Sequence, residues 1–306
     1  MLNTPVLFVI FNRPDTTKQV FYEIRKAKPK QLFIAADGPR KDHPEDTGLC
    51  QKTRAIVDQV DWDCQVSTLF RDENLGCKYA VSSAIDWFFS NVGEGIILED
   101  DCVPDQSFFP FCEELLEKYR DDERIMMISG ANFQFGKKKT EDSYYFSRYF
   151  HIWGWATWKR AWKLYDKEMK AWPEIRENGY LTNILSEKKL VRYWEVIFNS
   201  VYNGSIITWD YQWVFSCWIQ GGLSIIPNIN MISNIGFDHR STHTKGENIR
   251  ANMQTERMIF PLHHPKYIIR NANADRFTER IEYSRFGFIK SKLYGITLKA
   301  RRRLQV

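Results

Sequence analysis

The chain has 306 residues and a net charge of +5, and its ordinary hydrophobic share of 43% excludes a disordered polypeptide, leaving room for one large or two modest domains. Aromatics at 15%, with eleven Trp, suit clefts for flat polar ligands such as sugars or bases, although thick cores collect aromatics too. Six Cys with no Cys-x-x-Cys pair read as reduced buried thiols and a cytoplasmic setting, and the opening apolar run, stopped at Asn12-Arg13, reads as neither signal peptide nor membrane anchor.

Val6 to Phe11 is a β-rich run closed by Asn12-Arg13-Pro14-Asp15, after which Val20, Phe21 and Ile24 recur at helical spacing. Gln31 to Ala36 repeats the pattern and ends in the turn signal Asp37-Gly38-Pro39-Arg40, with a helix expected over about Leu49 to Val60. Gln65 to Phe70 predicts a third strand, left through Asn74-Leu75-Gly76 into a helix carrying Ala80, Ala84 and Phe88. The fourth strand, from Glu94, stops abruptly at Glu99-Asp100-Asp101, and a helix over Phe108 to Tyr119 and a strand over Arg124 to Ser129 follow. Such alternation predicts an α/β fold with a parallel sheet and right-handed crossovers.

Beyond a soft boundary near residue 135 the pattern breaks. A nucleotide-type half (residues 1–135) is expected to share one sheet with an acceptor-type half (136–262), followed by a basic extension (263–306). From Tyr283 to Val306 there are seven Lys and Arg and no acid, interleaved with apolar residues. That suits either an amphipathic segment on an anionic membrane surface or a docked helix with a solvated basic face. No motif supports nucleic-acid binding.

The absence of Gly-x-Gly-x-x-Gly and of a phosphate-binding P-loop argues against dinucleotide and P-loop sites. Any diphosphate would then need a metal. Three adjacent carboxylates at the exit of a parallel strand suit Mn²⁺ or Mg²⁺, though a solvated acidic turn would look the same. Arg13 and Asp37, at two other strand exits, could hold a nucleoside; turn chemistry explains Asp37 equally well. Lys78 opens a helix where a phosphate could sit, or is simply solvated.

Trp153, Gly154 and Trp155 could face a sugar ring, while Trp155, Trp158, Ala161, Trp162 and Tyr165 also fit a packed helix. Asp210, between Trp209 and Tyr211, reads either as a general base or as a helix N-cap. His239 and His243 lie in a loop without a zinc-protease pattern; His239 is an additional metal-ligand candidate, and a surface His is the alternative.

Taken in order, Arg13, Asp37, Leu98-Glu-Asp-Asp101 with Phe108-Phe109, Gly154-Trp155, Trp209-Asp210 and a Gly-x-x-His resemble the GT-A glycosyltransferases, nearest the inverting N-acetylglucosaminyltransferase I group and its bacterial relatives. The resemblance covers about residues 4 to 245. It implies a mixed, mostly parallel central sheet and a metal-dependent transfer from a UDP-sugar, UDP-GlcNAc among the candidates, to a hydroxyl of a glycan or lipid-linked glycan. Asp101 would then ligate Mn²⁺ (or Mg²⁺), with His239 near it, and Glu99 and Asp100 would contact sugar and ribose. Arg13 and Asp37 would hold the nucleotide, and Asp210 would be the base. The alternatives are a nucleotide-sugar or glycan-binding protein without turnover and a sugar nucleotidyltransferase, which would need a Gly-rich N-terminal loop where Asn12-Arg13-Pro14 stands.

Overall fold

The computed structural model describes residues 1–237 and 250–283; His239, His243 and the tail beyond Tyr283 lie outside the described residues. The first half runs β1 (Val6–Ile10), α1 (Pro14–Ala27), β2 (Gln31–Ala36), α2 (Pro44–Arg54), β3 (Gln65–Phe70), α3 (Gly76–Asn91), β4 (Glu94–Glu99), β5 (Cys102–Pro104), α4 (Phe108–Lys118) and β6 (Ile125–Ser129). The second runs β7 (Tyr144–Ser147), β8 (Trp155–Trp158), the short helices α5 (Lys159–Trp162), α6 (Trp172–Glu177) and α7 (Leu181–Ile184), then α8 (Lys188–Tyr202), α9 (Asp210–Ile219), β9 (Leu223–Pro227), β10 (Ile232–Asn234) and α10 (Ala272–Glu282). The helix expected from Leu49 begins earlier, at Pro44, and its end from Ala55 to Gln59 tightens into a 3₁₀ segment.

Eight strands form one sheet in the order β3-β2-β1-β4-β8-β6-β9-β7. β3, β2, β1 and β4 are mutually parallel, β8 runs antiparallel to both neighbours, β9 is parallel to β6 and β7 is antiparallel to β9. This is the mixed α/β class read from the sequence, with a mostly parallel half, and the sheet crosses residue 135 without a break. Alternation along the strands divides the core between two faces. Phe8, Ile34 and Leu98 meet α1 and α4 on one face, while Leu7, Phe33 and Ile97 meet α3, α8 and α9 on the other.

β8 corrects the aromatic helix expected to begin at Trp155. Trp155 joins one core while Ala156 and Trp158 join the other, so both faces are buried and the segment sits mid-sheet between β4 and β6. Only the next four residues turn helical. Tertiary burial overrides the 3.6-residue spacing here.

Residues 263–283 are not a detached extension. Asn271 caps α10 by accepting a hydrogen bond from the Ala274 amide at 3.0 Å, and Ala274 packs on Tyr145 and Ile226 at the β7–β9 edge. Below it Arg148 pairs with Glu279, while Asp275 accepts from Ser147 Oγ at 2.6 Å and pairs with Arg270 at 3.3 Å. Among the described residues no helix is long and apolar enough to cross a membrane, and all six cysteines are free.

Candidate functional site

β1 is flanked by β2 on one side and β4 on the other, so the chain's direction of travel across the sheet reverses between β1 and β4. A crevice opens outside the carboxyl ends of strands at such a point. Here the strand exits supply Arg13 after β1 and Glu99, Asp100 and Asp101 at the end of β4. The Arg13 guanidinium pairs with Asp100 and reaches Asp101 Oδ2 at 3.1 Å, and the Phe11 amide donates to Asp100 Oδ2 at 3.4 Å. The cleft these residues line has a volume of about 680 Å³.

One guanidinium lies beside three adjacent carboxylates. Burial, then the charges of Asp101 and Asp100, push the Glu99 carboxyl up to about 8, and burial also raises Asp100 against the pull of Arg13. Arg13 itself is held well above its usual value by the two aspartates, which outweigh its burial.

β10 pairs antiparallel with β5, immediately after the acidic triplet, and brings Ile235 and Gly236 over Asp101. The Ile235 amide donates to the Asp101 carbonyl at 2.8 Å, and a Cβ on Gly236 would overlap the Asp101 carboxylate and crowd Arg13. What seats β10 is Gly154. With φ +56° and Ile232 pressed where a Cβ would stand, Gly154 serves close packing and does not line the cleft. Trp155 is also away from it, stacked on Trp209 with centroids 5.7 Å apart. Trp153 and Trp209 do line the cleft.

Asp37 reaches the cleft wall, but its carboxylate is turned to the loop after β3. Oδ1 accepts from Gly38 N at 3.0 Å and Leu75 N at 2.9 Å, and Oδ2 from Gly76 N at 3.0 Å and Asn74 Nδ2 at 2.9 Å. It thereby caps the N-terminus of α3 from a neighbouring strand. Those are the amides that Lys78 was expected to assist, and Lys78 does not line the cleft; its Nζ pairs with Glu168 at 3.3 Å.

Asp210 is the first residue of α9, with Trp209 at the N-cap position. Its Oδ1 accepts from Tyr211 N at 2.9 Å and from Thr208 Oγ1, which orients the carboxylate within the cleft. Glu99, Asp101 and Asp210 thus line one cleft, together with the half-buried Cys77 of α3, whose thiol is driven up by burial.

No protein family and no curated protein matches the sequence. Solved structures overlap it only in part. HddC from Yersinia pseudotuberculosis is 8% identical over 51% of this chain and 77% of its own, with a TM-score of 0.32. The 4-diphosphocytidyl-2C-methyl-D-erythritol synthase of Anaerococcus prevotii is 9% identical over 54% and 76%, at 0.33. A UDP-glucose pyrophosphorylase complexed with UDP-glucose is 13% identical over 48% and 62%, at 0.28. Likenesses this partial leave the chemistry of the cleft to its own residues.

Sequence reasoning missed several lining residues. Arg71 donates from Nη2 to Ser83 Oγ at 2.8 Å and, among the described residues, forms no ion pair with a carboxylate. Its place at a strand exit, like that of Arg13, was the available signal. His151 lies edge-on to Phe133 with centroids 4.5 Å apart, and burial, then Arg250, lowers it to about 3, so it is neutral. Tyr193 from α8, Arg250, and Glu282 and Tyr283 from the end of α10 complete the wall.

Proposed function

We propose that this cleft binds a UDP-sugar and transfers the sugar, with inversion, to a hydroxyl of a glycan acceptor. The observation that carries the proposal is the convergence of Arg13, the Glu99-Asp100-Asp101 triplet and Asp210 on one cleft at the switch point of the sheet.

A divalent cation suits the triplet. Among the described residues no group of three His, Cys, Asp or Glu could hold an ion by itself, so a cation at the triplet would need further ligands from the nucleotide's phosphates. The chemistry of the donor set agrees, since burial and then the charges of Asp101 and Asp100 raise the Glu99 carboxyl, and a cation would relieve the second of these. Asp101 would hold the ion, with His239 as the further candidate. When bound, the ion supplies charge stabilisation for the departing nucleotide.

The chain's own residues do the remainder. Arg13 fixes the triplet and adds positive charge beside the phosphates, and Arg71 adds a second cation on the nucleotide wall. Asp37 acts through the Asn74–Gly76 turn, whose geometry it sets. Asp210 takes the proton from the acceptor hydroxyl, and direct displacement then inverts the anomeric carbon. Base catalysis of this kind contributes roughly 10²- to 10⁴-fold.

The test is calorimetric titration of nucleotide diphosphates and UDP-sugars with and without Mn²⁺. Mn²⁺-dependent binding of UDP, absent in Asp101→Asn and retained in Asp210→Asn, is expected. Binding indifferent to Asp101 would remove the metal assignment. Release of pyrophosphate from UTP and a sugar 1-phosphate would identify a nucleotidyltransferase instead, and binding without any turnover would leave a binding protein.

A further inference from the structure

The residues assigned to the donor leave one part of the cleft without a ligand. Its wall is aromatic and comes from α8, α9 and the end of α10. Tyr193 and Tyr283 have ring centroids 4.9 Å apart, Trp194 and Tyr283 5.3 Å, and Trp194 and Tyr211 6.0 Å. Arg250 closes this wall, its guanidinium 5.4 Å from the Phe133 ring and 6.0 Å from Trp153, with Nη1 3.4 Å from Glu282 Oε1. Asp210 lines the same cleft as Glu99 and is tied to this wall by the Tyr211 amide, which donates to its Oδ1 at 2.9 Å.

We propose that Tyr193, Tyr211 and Tyr283, with the Glu282–Arg250 pair, form the acceptor subsite and that it takes a neutral pyranoside. The assignment rests on the glycosyl-transfer reading, which requires an acceptor hydroxyl beside Asp210. Aromatic faces and phenol groups offer an amphipathic surface to a sugar ring, which is apolar on its faces and polar at its rim. A carboxylate next to a guanidinium supplies one acceptor and several donors for adjacent hydroxyls. Glu282 brings a negative charge to this wall. A uronate or a phosphorylated sugar would meet Glu282 with like charge, so the subsite discriminates against anions.

The test uses the full chain and methyl glycosides of glucose, galactose and mannose, with methyl glucuronide as the anionic arm, observed by saturation-transfer NMR. Binding of UDP is measured in parallel as the control for the donor region. At least one neutral glycoside is expected to bind the wild type and methyl glucuronide is not. Tyr283→Ala should weaken the neutral ligand about tenfold or more, and Tyr283→Phe should retain most of the binding. In Glu282→Gln, which removes the negative charge facing Arg250, the neutral glycoside should weaken and methyl glucuronide should gain. Neither change should alter the affinity for UDP. The subsite is overturned if no neutral glycoside binds a wild type that binds UDP, if the glucuronide is preferred, or if Tyr283→Ala and Glu282→Gln bind as the wild type does. Glycoside binding that follows this pattern without any affinity for UDP would uphold the subsite and sink the donor reading alone.

Discussion

Glu99 keeps its proton at neutral pH because burial and two adjacent aspartates make the charged form costly, and that cost is visible in stability. In the unfolded chain this carboxyl titrates at its ordinary value near 4.5, against about 8 when folded. Below the lower value both states are protonated and Glu99 contributes nothing to pH dependence. Between the two values the native state binds a proton that the unfolded chain has released, so stability falls as pH rises through this window and levels off above about 8. Glu99→Gln, without added cation or nucleotide, should therefore melt higher than the wild type at pH 8 and about equally at pH 4, a comparison that thermal unfolding at the two pH values makes directly. A wild-type advantage at pH 8 would mean that Glu99 is already compensated. At the same scale, Asp210→Asn should lower kcat by roughly 10²- to 10⁴-fold while leaving the affinity for UDP unchanged, because the change touches the proton and not the phosphates.

Among the elements, α10 does most to join the second half of the chain to the cleft. Its own Asp275 and Glu279 are buried against Arg148, and its last residue, Glu282, is a cleft residue. Arg148→Met removes the cation paired with the buried Glu279, while Asp275 keeps Arg270, and breaking such a buried pair costs about 3–5 kcal/mol. The melting temperature should fall on the order of 10 °C; a fall of only a degree or two would show that the helix docks through its apolar face alone. Gly154→Ala combines a left-handed backbone with an overlap on Ile232 and should cost about 1–3 kcal/mol, while shifting Gly236 against Asp101 and weakening metal-dependent binding of UDP more than metal-independent binding.

The elements also show what could be read in advance. Gln31–Ala36 and Gln65–Phe70 matched residue for residue because each is a short apolar or β-branched run punctuated by turn residues. Trp155–Trp158 did not, because a strand buried on both faces has no alternation to read, and its neighbouring Trp and Tyr happen to recur at helical spacing. The partners of Asp37 lie across a strand exit, at Asn74, Leu75 and Gly76, so local sequence shows a turn and conceals the cap. Glu282 was hidden by the cations that follow it. The signal that could have exposed it is the helical recurrence of Ala274, Phe277 and Thr278 after the capping Asn271.

At the scale of the molecule, the groups assigned to the donor stand on strand exits and the wall proposed for the acceptor on α8, α9 and the end of α10, and both face one cleft. A fragment ending at residue 135 keeps Arg13 and the triplet but lacks Asp210, Arg250 and the whole aromatic wall. Such a fragment should bind no glycoside, and gel filtration should find it aggregated or insoluble, because β4 would have lost its partner β8. A soluble, monodisperse fragment would show that the first half is an independent domain.

That missing partner has a counterpart in biogenesis. As the chain leaves the ribosome, β1 to β4 can assemble in the order of their synthesis, but the outer side of β4 stays bare until residues 155–158 emerge and slide in between β4 and β6. For that interval the nascent protein carries an unpaired apolar strand whose exit is the acidic triplet, so the same strand that later presents the triplet to a ligand is the one most in need of chaperone shielding while translation continues.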